Sequence, residues 1–90
     1  MAEELLLELR RLIDAVDEEI VACIARRHEL AKTVGKYKEE HNLSVIDEDR
    51  ELWLKDYHHA LSCKYDISGE FIAKLFKLII SQSRQLQQQK

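Results

Sequence analysis

Proline is absent from this 90-residue chain, and glycine occurs only twice, at Gly35 and Gly69. Backbone breakers are therefore scarce, while the helix formers Leu, Glu, Lys, Arg and Gln are abundant. No period-two alternation marks a strand, and no internal repeat is visible. An apolar run of ~20 residues, the length needed to span a bilayer, is missing too. Met1 to Glu4 is acidic rather than basic and then apolar, so no secretory leader is read there and the expected location is the cytoplasm. Positive charge is not in excess: 14 Lys and Arg face 17 Asp and Glu, for a net charge of −3. That argues against nucleic-acid binding, which calls for a basic face, but leaves room for a local basic pocket. The two cysteines, Cys23 and Cys63, form neither a close pair nor a metal spacing, and are expected as reduced, partly buried thiols. Four histidines are scattered along the chain. His58 and His59 are neighbours, about 100° apart on a helix, so no metal site is expected. There is no nucleophile–base arrangement, phosphate loop or cofactor motif. Any chemistry must rest on positioning and electrostatics, with no cofactor.

What the chain does have is apolar periodicity. With 46% hydrophobic residues spread throughout, it is not disordered. Its length suits one domain, taken as residues 1–90. Leu5, Leu9, Leu12, Val16, Ile20, Cys23, Arg27, Leu30, Val34 and Tyr37 follow three- and four-residue steps, which predicts one long helix from about Glu4 to Glu40. Gly35 weakens its propensity but not its period. About 35 residues make a rod of ~50 Å, whereas a compact chain of this size is only roughly 30 Å across. The stripe of such a rod calls for cover, and a two-fold partner is the simplest. After a short connector at 41–44, Asp47, Glu48 and Asp49 supply acids for a second helix running to about Lys64. Its expected inner face is Ile46, Arg50, Trp53, Leu54, Tyr57 and Leu61. Ser68 is a good N-cap for a third helix carrying Phe71, Ile72, Leu75, Phe76, Leu78, Ile79, Ile80 and Leu86. The glutamine-rich tail is expected to fray beyond Gln87. The predicted class is all-α, with three helices per chain in an intertwined homodimeric bundle.

Several polar residues stand where the pattern wants apolar ones. Arg27 interrupts the first stripe, and Lys38 follows it eleven residues on, ~20° past three turns and about 16 Å along the same face. The two cations flank Val34 and could converge on a small anion; they could equally snorkel to solvent. Arg10 lies ~25 Å from Arg27 along the axis and ~100° around it, so one chain cannot close both on one small molecule. In an antiparallel dimer Arg10 of the partner subunit can approach Arg27; otherwise Arg10 is a solvated surface charge. Asp47, Arg50 and Glu51 share a face, which intrahelical ion pairing would also explain. Ser83 and Gln87 continue the stripe of Phe76 and Ile80 as polar residues, by design or by fraying.

Jointly, these positions resemble the all-helical class of chorismate mutases over nearly the whole chain. Arg10, Asp17, Arg27 with Glu29, Leu30 and Ala31, then Val34, Gly35, Lys36 and Lys38 resemble its long first helix. Asp47, Arg50 and Glu51 resemble its second, and Phe76, Ile79, Ile80, Ser83 and Gln87 its third. The resemblance implies a homodimer with two sites, each completed by the partner's Arg10. It implies conversion of chorismate to prephenate, a step towards phenylalanine and tyrosine that needs neither cofactor nor metal. Arg27 and the partner's Arg10 would hold the two carboxylates, with Ser83 assisting one. Lys38 and Gln87 would meet the ether oxygen. Glu51 and the backbone near Asp47 would hold the ring hydroxyl, Arg50 would add positive potential, and Val34 and Ile80 would form walls. The enzymatic rival is an isochorismate pyruvate lyase-like activity, against which Glu51, Ser83 and Gln87 together speak. A non-catalytic helical dimerisation module is the rival from another class; it leaves Arg27 unexplained.

Overall fold

The computed structural model describes residues 1–88, and its helices are α1 (Ala2–Glu40), α2 (Glu48–Lys64) and α3 (Gly69–Gln88). The predicted all-α class holds. The tail does not fray at Gln88, which is helical; Gln89 and Lys90, where the expected fraying would continue, lie outside the described residues. None of the described helices is long and apolar enough to cross a membrane.

With so few glycines, the helix ends are made by other means. Asn42 and Asp66 adopt the left-handed conformation at φ 56° and 53°. Around Asn42, the Leu43 N–H donates to the Lys38 carbonyl (2.7 Å) and the Asn42 N–H to that of Glu39 (3.3 Å). Ile67 and Asp66 repeat the pattern on the Ser62 and Cys63 carbonyls, at 2.9 and 3.3 Å. Both are Schellman closures with a short polar residue where glycine is usual. The starts are capped by side chains. Asp47 Oδ1 accepts from the Arg50 N–H at 3.0 Å and Ser68 Oγ from the Phe71 N–H at 3.2 Å. Each cap satisfies a donor that the first helical turn leaves open.

The chain resolves into two units, Met1–Leu30 and Ala31–Lys90. The first is wholly helical after Met1, and Leu5, Leu9, Leu12, Val16 and Ile20 all stand exposed on it. In the second, α2 packs on α3. Their seam is part aromatic: the His58 and Phe76 rings stack at 3.6 Å between centroids. The inner face of α2 differs from the predicted one. Of the predicted residues Leu54 and Leu61 are half-buried, but Ile46, Arg50, Trp53 and Tyr57 are exposed, while His58 and Ser62 are buried and Glu51 half-buried. The seam thus follows a face about 100° from the one that Trp53 and Tyr57 suggest, because His58 has an aromatic partner on α3. Phe71 and Leu78 likewise point away from the packed face of α3. Both cysteines are free thiols, yet exposed rather than partly buried. Cys63 follows the buried Ser62 and so turns off the inner face.

On the part of α1 in the second unit, the buried residues are Ala31 and Gly35; Val34 and Tyr37 of the predicted stripe are exposed. Gly35 is there for space. A Cβ built on it would lie 2.7 Å from Gln87 Cα and 2.8 Å from the Gln87 carbonyl oxygen. Those are backbone atoms, so the helices themselves must part to admit a methyl group. Gly35→Ala is therefore expected to destabilise the chain by roughly 1–2 kcal/mol, the overpacking outweighing the better helix propensity of alanine. A raised melting temperature would contradict this.

Candidate active site

The Gly35–Gln87 approach determines what lies one turn further along α1. Lys38 is three residues on from Gly35 and hence on the same face. Its Nζ donates to Gln87 Oε1 at 2.8 Å and to the Val45 carbonyl, also at 2.8 Å. Lysine has three N–H donors, and these two bonds leave one more. Gln87, with its oxygen taken by Lys38, retains the NH₂ end of its amide as a donor. A half-buried cation and an amide are thus fixed together before anything binds.

Ser83 lies one turn before Gln87 and is buried; its hydroxyl donates to the Ile79 carbonyl at 3.0 Å. The fraying explanation for Ser83 and Gln87 does not hold, since Leu86 between them is buried. Across the α2–α3 seam, Glu51 receives a fork from Arg84. Nε donates to Oε2 at 2.9 Å, and Nη2 donates to Oε1. Asp47 and Arg50 have other work than an ion pair with each other. Asp47 caps α2, and the Arg50 guanidinium lies 4.7 Å from the centre of the Trp53 ring, a cation–π distance. Glu51 and Ile80 line one groove between α2 and α3, together with His58, Ile72 and Phe76.

The second unit therefore brings together Lys38 with Gln87, and Glu51 with a residue the sequence reading did not single out, Arg84. Arg10, exposed, and Arg27, half-buried, belong to the first unit. Among the described residues, no group of three or more His, Cys, Asp or Glu is placed to hold a metal ion. Two sequence signals were available for what was missed. Arg84 follows Ile80 by four residues and precedes Gln87 by three, so it shares their face as a cation in line with the stripe. Gly35 sits at the step between Ala31 and Lys38.

The family model described as Chorismate mutase type II matches residues 9–88, a span that holds all eight candidate residues from Arg10 to Gln87. The chain belongs to the chorismate mutase type II family. Among the relatives in this family, the chorismate mutase of Methanocaldococcus jannaschii is 31% identical over 86 residues, which cover 96% of this chain and 87% of that one. The bifunctional chorismate mutase/prephenate dehydratase of Escherichia coli K12 is 40% identical over 87 residues, 97% of this chain but 22% of its own length. The T-protein of Haemophilus influenzae is 31% identical over 80 residues, 89% of this chain and 21% of its own. This chain thus spans most of the archaeal chorismate mutase and about a fifth of the two bacterial relatives.

Proposed function

We propose that this chain converts chorismate to prephenate as a cytoplasmic enzyme of phenylalanine and tyrosine biosynthesis. The observation that carries the reading is the Lys38–Gln87 pair, within a chain of the chorismate mutase type II family. The reaction is an intramolecular [3,3] rearrangement. The ether C–O bond breaks as a C–C bond forms, and negative charge grows on the ether oxygen. Donors already in place there bind the transition state better than the ground state, which is what accelerates the chemical step. Lys38 offers its remaining N–H, and Gln87 its amide NH₂. Neither needs to be assembled during the reaction, because each fixes the other.

The remaining roles go to the residues the family resemblance names. Arg27 holds one carboxylate and the partner's Arg10 the other, since the guanidinium fork matches a carboxylate. Ser83 assists one of them by turning its hydroxyl from Ile79. Glu51, with the backbone near Asp47, accepts the ring hydroxyl; Arg50 adds positive potential at the mouth. Holding both carboxylates and the hydroxyl keeps the flexible side chain over the ring in a chair, the reactive geometry. Val34 and Ile80 serve as walls.

The active form is a homodimer. Support comes from the exposed apolar row Leu5, Leu9, Leu12, Val16 and Ile20, an unusual surface for a chain in water. A shared site has a distinctive consequence. Arg10→Ala and Arg27→Ala homodimers each lack one arginine in both sites, and both are expected to be nearly inactive. Mixed and allowed to exchange, they form heterodimers in which one site has both arginines and the other neither. With random pairing of equal amounts, turnover is expected to recover to about a quarter of the wild-type value per site. No recovery in confirmed heterodimers would contradict the shared site.

A further inference from the structure

The fork between Arg84 and Glu51 joins the first turn of α2 to the last two turns of α3. Neither side chain is free in solvent, at 39% and 29% exposure. Arg84 is outside the set of residues that the family resemblance carries, and nothing in the chemistry above uses it. Its placement is nevertheless specific. It lies on the face of α3 that bears Ile80 and Gln87, and it is paired with the carboxylate assigned to the substrate's ring hydroxyl.

We propose that Arg84 is a positioning residue for substrate binding: it holds the Glu51 carboxylate in one orientation so that this group can accept the ring hydroxyl. The proposal rests on the reading of Glu51 given above. Three physical points support it. A glutamate on the first turn of a helix has several rotamers, and a two-point fork selects one where a single bond would leave rotation. A carboxylate has about four acceptor positions, so a fork that uses two leaves others for a hydroxyl. Finally, the substrate is a dianion. An unpaired glutamate in its site would repel it, and the guanidinium cancels that charge without removing the acceptor.

A pair that merely staples α2 to α3 would give the same geometry, so the test must separate stability from binding. Because the ring-hydroxyl contact is made equally in substrate and transition state, its loss should appear in KM more than in kcat. In Arg84→Ala, KM for chorismate is expected to rise about tenfold, with kcat falling less than about threefold. Arg84→Lys restores the charge but only one bond, and is expected to recover part of the KM. The decisive arm is the double variant. Added to Glu51→Gln, the Arg84→Ala change is expected to alter KM by less than about twofold, because the carboxylate it orients is gone. Helicity and melting temperature are followed for each variant; if Arg84→Ala fails to fold, Arg84→Gln, which keeps a donor and the stem, takes its place in the cycle. An Arg84 variant with wild-type KM overturns the proposal, as does a full KM effect that persists in the Glu51→Gln background. A wild-type chain that leaves chorismate unchanged overturns the functional reading itself, and is distinguished by needing no variant.

Discussion

Lys38→Ala is expected to lower kcat for chorismate about 10³-fold, the scale on which removing one transition-state donor acts. The loss is expected to exceed that of a neutral donor, since a charge-assisted bond to a developing oxyanion is among the stronger hydrogen bonds. The same change removes the partner of Gln87 Oε1, so the amide is no longer held. KM should change much less than kcat, because the ether oxygen carries little charge in the ground state. The fold should survive. Lys38 is half-buried near the C-terminal end of α1, and the Schellman closure there uses the Lys38 backbone carbonyl rather than its side chain. The charge-assisted bond from Nζ to the Val45 carbonyl is lost, which costs about 1.5–3 kcal/mol and leaves the backbone closure of the helix in place. Circular dichroism checks the fold and steady-state kinetics the rate. A helical Lys38→Ala protein with near-wild-type kcat would remove Lys38 from the mechanism.

The elements were legible in the sequence because the signals for them are local. With no proline, with acids at Asp47, Glu48 and Asp49 and with Ser68 as a cap, each helix can be bounded from a few neighbouring residues. Faces were less legible. On α2, Trp53 and Tyr57 are the large apolar residues and so attract the inner-face assignment, yet the seam with α3 is built on His58 and Ser62. Periodicity gives the spacing of a face but not which of two faces another helix will choose. The stripe of α1 shows the same limit, since the buried positions in the second unit are the small Ala31 and Gly35 rather than the larger Val34 and Tyr37.

The candidate site was legible as a set of residues and not as a set of contacts. Lys38 and Gln87 are separated by 49 positions, and their bond depends on the space that Gly35 leaves for the backbone of Gln87. A glycine read only as a weak point of a helix conceals that purpose. Arg84 was passed over because its one signal, a place in line with Ile80 and Gln87, is weak for an arginine in a polar stretch of helix. Its meaning lies in Glu51, 33 positions away. The set itself was named through the resemblance to the family, since spacing alone left Arg10, the trio at 47–51, Ser83 and Gln87 with ordinary surface explanations.

With Lys38 and Gln87 fixed on each other, a chain of this family is expected to perform the rearrangement unaided. Enzymes commonly accelerate their reactions by at least about 10⁶-fold, and an acceleration of that order over buffer is expected here. Charge stabilisation by Lys38 and Gln87 supplies part of it, and confinement of the side chain in its chair supplies a further part that can reach several kcal/mol. No redox change or external group takes part, since the rearrangement only exchanges one C–O bond for one C–C bond. The most direct measurement is to add chorismate to the purified chain in buffer containing a chelator and no cofactor, follow the loss of the diene absorbance, and identify the product by nuclear magnetic resonance. Stoichiometric prephenate is the predicted result. Unchanged chorismate would contradict this, and release of pyruvate from isochorismate supplied in a parallel assay, with no prephenate from chorismate, would assign the site to lyase chemistry instead.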